Sequence, residues 1–150
     1  MAFVEFEVRA NGLLVEASIG LSAARLEQYY KLGREVPPAV NVTLMVDTGA
    51  DTTMLGEQIF RTLDLQPTGQ ARIHTSTSGV QGEPCDTYDV SLAIKNRANE
   101  AIWTVQPIEV LARPLIGQSI DGMIGRDLLN QCVLEYDGPR KVFRIHSPRR

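Results

Sequence analysis

Asp47 stands at the end of an apolar run, Leu44-Met45-Val46, and is followed by Thr48, Gly49 and Ala50. A carboxylate in that position ends a strand on a tight turn, and a glycine two residues on lets other backbone approach closely. Held there, it can take a proton from water or give one to a leaving group. A bare Asp-Thr-Gly also describes an ordinary Asx turn, so the surroundings decide. They are Ala50-Asp51-Thr52-Thr53-Met54-Leu55 directly after it and, far downstream, Met123-Ile124-Gly125 running into Arg126-Asp127-Leu128-Leu129. No other constellation competes. His74 and His146 are isolated, with no partner at ligand or triad spacing, and read as surface residues. Cys85 and Cys132 are too few and too far apart in sequence for a metal cluster or a disulfide scaffold, and read as buried or half-buried free thiols. No metal and no cofactor is called for.

The elements that must position Asp47 are short. The alternating runs 3–8 and 13–17, separated by Asn11-Gly12, predict an opening β-hairpin. Ser22 is placed to cap a helix over 23–32, with Gly33 as its stop and Pro37-Pro38 beyond, so 21–38 reads as a helical insertion between strands. Residues 40–46, rich in β-branched side chains, predict a buried strand feeding the Asp47 turn. A short helix is expected over 56–63 and a mobile, Gly-punctuated hairpin over 67–84. Runs 88–94 and 101–111 predict a second hairpin, in which Trp103 packs in the core. A very short strand at 122–125, a helix over 126–131 and a hairpin around Asp137-Gly138 complete the pattern. Many short strands with two or three small helices point to an all-β, closed, barrel-like domain.

With 150 residues the chain has the length of one domain with one core. A formal charge of −3 supplies no basic field of the kind that recruits phosphate backbones, so nucleic acid is not an expected partner. Arg140, Lys141, Arg144, Arg149 and Arg150 cluster near the end and read as a solvated terminus. No apolar stretch approaches the roughly 20 residues that cross a bilayer, and the acidic start lacks the pattern of a secretory signal. No membrane partner and a cytoplasmic location are the expectations.

The two blocks around Asp47 and Gly125 resemble the signatures of the retropepsins, the single-domain aspartic proteases of retroviruses and their cellular and bacterial relatives. Residues 46–55 are similar to the family's catalytic loop and 123–129 to its second signature, in the same order. Between them, 78–82 looks like a flap tip and 88–92 like the returning strand, whereas 21–38 and the last hairpin depart from the compact viral pattern. The resemblance implies an aspartic endopeptidase with Asp47 as its catalytic residue. The chain has one Asp-Thr-Gly and is too short for a two-lobed enzyme, so the second aspartate must come from another copy in a homodimer. Two carboxylates that close share a proton: one acts as general base on water, the other polarises the scissile carbonyl.

The same resemblance assigns Thr48 and Gly49 to the active-site loop and dimer axis. It makes Ala50, Asp51 and Thr52, with Gly79 and Val80 of the flap, substrate-binding residues for an extended peptide or protein. Met54 is a further candidate for a pocket wall. Ile124, Gly125 and Arg126 are supports, with an ion pair between Asp51 and Arg126 bracing the loop. The alternative is a catalytically silent dimeric peptide-binding or scaffolding module of the same fold.

Overall fold

A computed structural model describes residues 2–75, 78–115 and 117–148. Along the chain run β1 (Phe3–Glu7), β2 (Leu14–Leu21), α1 (Ala23–Lys31), β3 (Val40–Val46), β4 (Met54–Gly56), α2 (Glu57–Thr62), β5 (Gly69–Ile73), β6 (Glu83–Lys95), β7 (Ala101–Arg113), β8 (Gly122–Ile124), α3 (Arg126–Leu129), β9 (Val133–Asp137) and β10 (Val142–His146). Six strands, in the order β2-β3-β8-β4-β7-β6, close into a ring because β2 also pairs with β6; β5 hangs from β6 outside that ring. Two neighbours in the ring are parallel, β3 with β8 and β4 with β7. The expected all-β barrel is what the sequence builds.

Alternation fills its interior. β3 points Val42, Leu44 and Val46 inward, β2 contributes Val15, Ala17 and Ile19, and β6 contributes Val90, Leu92 and Ile94, all buried. Phe60 of α2 stacks on Tyr88 at 3.9 Å between ring centroids and shuts one side. Trp103 is half-buried on β7 and packs against the core cluster.

The segment between β2 and β3 holds α1, whose Ser22 hydroxyl accepts from the Arg25 amide, and Gly33 takes φ +62° just beyond the end, as the capping pattern requires. The Gln106 side chain accepts from the Ala23 amide and ties the start of α1 to β7. β4 was not foreseen: it has three residues, too few for any periodicity. Likewise α3 has four residues and not the six expected, its last turn relaxing into residues 130–132.

The opening hairpin is a correction. Asn11-Gly12 does turn the chain, with Arg9 and Gly12 exchanging backbone hydrogen bonds and Gly12 at φ +123°. The flanking strands then part. β2 joins the barrel, while β1 pairs with β10, which pairs with β9, in a separate three-stranded sheet. Core packing overrides the local turn: Phe6 stacks on Phe143 at 5.3 Å, and Val4 and Ile145 are buried beneath.

This sheet also corrects the basic terminus. Arg144 lies inside β10 and pairs with Glu5 at 2.7 Å and Glu135 at 3.5 Å. Arg140 and Lys141 sit in the preceding turn, and Arg149 and Arg150 lie outside the described residues. His146, expected on the surface, is half-buried against Phe3 and meets Glu135 at 2.9 Å. That hydrogen bond, and after it the charge of Arg144, hold the Glu135 carboxyl below its ordinary range. A carboxyl lowered on folding stabilises above its unfolded value of about 4.3 and loses that contribution as pH falls through the folded value. Thermal melts across pH should therefore show Glu135→Gln less stable than the parent at neutral pH, with the difference closing on acidification below about 4.3; a gap of constant size would refute the linkage.

Candidate active site

The barrel places Asp47 by a crossing. β8 lies between β3, to which it runs parallel, and β4, to which it runs antiparallel. The chain leaves β3, passes over the end of β8 as the loop 47–53, and comes back as β4 on the far side. Something must pass beneath the loop, and it is Gly125. A Cβ there would lie 2.7–2.9 Å from the backbone C, O and N of Thr52. Gly122 is as confined, against the Met54 carbonyl and the Leu55 side chain. Only glycine permits backbone to cross backbone at that distance. Ile124, fully buried between them, anchors the floor and accepts the Asp47 amide at 2.9 Å.

The loop is then clasped from below by Arg126 and Asp127. The Arg126 guanidinium donates to the Thr48 carbonyl at 2.8 Å and its amide to the Ala50 carbonyl at 2.8 Å. The Asp127 amide donates to the Asp51 carbonyl at 3.2 Å. Its carboxylate accepts the Thr53 amide at 3.0 Å, the Thr53 hydroxyl at 2.7 Å and the Leu128 amide at 2.8 Å. Thr53, fully buried, accepts the Gly125 amide on the same hydroxyl at 3.1 Å and the Leu111 amide on its carbonyl at 3.0 Å. One threonine thus joins loop, α3, β8 and β7. Four loop residues, 48, 50, 51 and 53, are fixed by two residues of α3.

Within this frame Asp47 is half-buried, and its Oδ1 accepts the Gly49 amide at 2.9 Å. A Cβ on Gly49 would come within 3.2 Å of that oxygen. Thr48 and Gly49 are exposed. Asp47, Thr48, Gly49, Ala50, Asp51, Thr52, Ile124, Gly125 and Arg126 are brought together. Gly79 and Val80 are not: they lie at the tip of the β5–β6 hairpin, where Val80 is 96% exposed and no hydrogen bond among the described residues reaches the loop. Ser76 and Thr77 of the same hairpin lie outside the described residues. Met54 is half-buried on β4 beside Met123 and Leu111.

The Asp51–Arg126 ion pair is not formed. Arg126 spends its guanidinium on the Thr48 carbonyl, and among the described residues nothing pairs with the Asp51 carboxylate. The bracing carboxylate is Asp127 instead, and the sequence carries a signal for it: an acid in the first turn of a helix, where free amides collect. Both thiols are free, and burial pushes both upward, so neither is an activated nucleophile. No group of three or more His, Cys, Asp or Glu among the described residues forms a metal site, and no described helix is long and apolar enough to cross a membrane. A cavity of about 430 Å3 opens where β6 and β7 diverge, between Glu57, Arg61, Pro84, Cys85, Asp86 and Arg113, and touches no residue of the loop.

A six-stranded closed barrel with a loop crossing over Gly125 is the retropepsin-type fold, and one known structure agrees. A retropepsin-like aspartic protease from Rickettsia conorii superposes with a TM-score of 0.62 at 14% identity, over 97% of this chain and 91% of that one. Two further structures are matched at lower TM-scores. The retroviral protease-like domain of Ddi1 from Leishmania major gives 0.45 at 14% identity, over 91% of this chain and 93% of that one. EIAV protease complexed with the inhibitor HBY-793 gives 0.34 at 22% identity, over 60% and 75%. No curated protein matches the chain. Residues 38–128 match the model of the aspartyl protease family, a span that holds both signatures, and the chain belongs to that family.

Asp127→Ala should cost roughly 2–3 kcal/mol, because the buried Thr53 amide and hydroxyl lose their acceptor. Gly125→Ala should cost about 1–3 kcal/mol through overpacking against the Thr52 backbone. Urea titration reads both as a lower midpoint at unchanged slope; parental midpoints would show that the clasp is not as tight as its distances.

Proposed function

We propose that the protein is an aspartic endopeptidase that works as a homodimer, each copy supplying one Asp47. The observation that carries this reading is an Asp-Thr-Gly carboxylate held on a loop fixed at four points yet open at Thr48 and Gly49, in a chain of the aspartyl protease family. Two such loops facing across a two-fold axis bring two carboxylates together with one proton between them. The ionised one removes a proton from water as its oxygen attacks the scissile carbonyl carbon. The protonated one donates to the carbonyl oxygen. Collapse of the tetrahedral intermediate breaks the C–N bond, and the leaving nitrogen takes a proton from the pair. Neither a metal nor a covalent intermediate enters.

Thr48 is the residue exposed to the partner loop, and Gly49 leaves the substrate backbone its approach. An extended peptide lies between the loop and the β5–β6 hairpin as an added strand. Ala50, Asp51, Thr52 and Met54 line its path from below, Gly79 and Val80 from above. The unpaired Asp51 carboxylate is available to substrate amides.

Asp47→Asn preserves shape but cannot serve as base. A purified variant should fold and assemble like the parent and show no pepstatin-sensitive cleavage of a peptide library. Cleavage at the parental rate would refute the assignment.

A further inference from the structure

The sequence has four methionines, Met1, Met45, Met54 and Met123. Met1 lies outside the described residues, and strand pairing gathers the other three. Met45 stands opposite Met123 across β3 and β8, and Met123 opposite Met54 across β8 and β4. Partnered residues project from one face of a sheet, so the three thioethers form a row across three adjacent strands. That face is turned away from the barrel core, because the alternating neighbours Leu44, Val46, Leu55 and Ile124 fill the interior. Buried Leu14, opposite Met45, and buried Leu111, opposite Met54, close the row at its ends. The methionines between them are half-buried. Met45 precedes Asp47 by two residues, and the Asp47 amide still bonds the Ile124 carbonyl, so row and carboxylate share a face. The Met45 sulfur also lies beside Gly12, where a Cβ would touch it at 3.5 Å and glycine puts no side chain over it. No described methionine is used as filler in the core, the commonest employment of that side chain.

We propose that Met45, Met54 and Met123 are a modification site, at which oxidation by peroxide to the sulfoxides shuts off peptide cleavage and reduction restores it. This rests on the endopeptidase reading above. In the forward step a sulfur lone pair attacks one peroxide oxygen; the S–O bond forms as the O–O bond breaks. The sulfur loses two electrons, and the other oxygen takes a proton and leaves as water. A sulfoxide reductase reverses the step, releasing the oxygen as water while a pair of thiols becomes a disulfide. The sulfoxide is polar, and the row that holds it is apolar. While the face is open, water solvates the new oxygen, and the folded chain tolerates it. A peptide laid along the face strips that water and offers no matching donor, so the cost falls on substrate engagement. The thiols do not compete for the oxidant: burial pushes both Cys85 and Cys132 upward, which leaves little of the thiolate that attacks peroxide. A thioether needs no such deprotonation.

The test is a brief treatment with dilute hydrogen peroxide, quenched by catalase before the assay. Peptide mass mapping should find one added oxygen at each of Met45, Met54 and Met123 and none at either cysteine, in a protein that still melts cooperatively. Pepstatin-sensitive cleavage should fall by about tenfold or more, and recover after incubation with methionine sulfoxide reductases of both stereochemical classes and dithiothreitol. Leucine conserves the volume of methionine and carries no sulfur. The combined Met45→Leu, Met54→Leu, Met123→Leu variant, measured against its own untreated sample, should therefore lose no activity to peroxide. If that variant does not fold, each single substitution should remove a share of the loss. Sulfoxides at all three sites with cleavage undiminished, a parental loss in the leucine variants, or three methionines left unoxidised in the folded protein would overturn the proposal and leave the Asp47 reading standing. An untreated parent without pepstatin-sensitive cleavage would fail the endopeptidase reading, and the switch with it.

Discussion

Everything in this molecule is arranged around one steric constraint, the passage of the loop 47–53 across the end of β8. A strand flanked by the two segments that a single loop connects can exist only if the loop's backbone clears it. The clearance at Gly125 is less than a methyl group. Two consequences follow. The carboxylate of Asp47 is pinned to the barrel by its own amide, through the Ile124 carbonyl. The loop also cannot relax downward, so its carbonyls must find donors at the height where they stand.

Those donors come from α3, and the division of labour between neighbours is chemically sensible. The planar guanidinium of Arg126 reaches outward to a carbonyl at the exposed crown of the loop, where an always-charged donor keeps its hydration on the free side. Asp127, half-buried, handles the inward end, where three donors converge and a carboxylate has lone pairs enough for all of them. A buried threonine with four polar contacts would be costly if any were missing, and here none is. The result is a carboxylate on a loop whose main chain is tied down at residues 48, 50, 51 and 53.

The sequence made much of this legible, and for identifiable reasons. Strand 40–46 announces itself by its β-branched side chains, runs 88–94 and 101–111 by strand-like composition on either side of a turn, α1 by its Ser22 cap and Gly33 stop, and the last hairpin by Asp137-Gly138. The match of residues 46–55 and 123–129 to a family pattern located the loop and its floor together. Most of the failures are of one kind: long-range partners. The Asn11-Gly12 turn is local and correctly read, but the partner of β1 is 139 residues away in Arg144 and its neighbours. β4 owes its existence to β7 and β8 and carries no periodicity of its own. The choice of Asp127 over Asp51 as the bracing acid depends on where Arg126 points, which spacing does not encode.

The strand β6 has two mechanical regimes along its thirteen residues. From Val90 to Ile94 it is gripped on both sides, by β2 and β7; from Glu83 to Asp86 it is held by β5 alone. It is a cantilever, rooted in the barrel wall with its free arm extending from the root. The arm has period two, so adding or removing residues in pairs, equally from β5 and β6, would change its reach while leaving every side chain on its original face. Reach and root are then separate variables: the length of the arm can drift in evolution, or be set by design, with no adjustment in the wall that holds it.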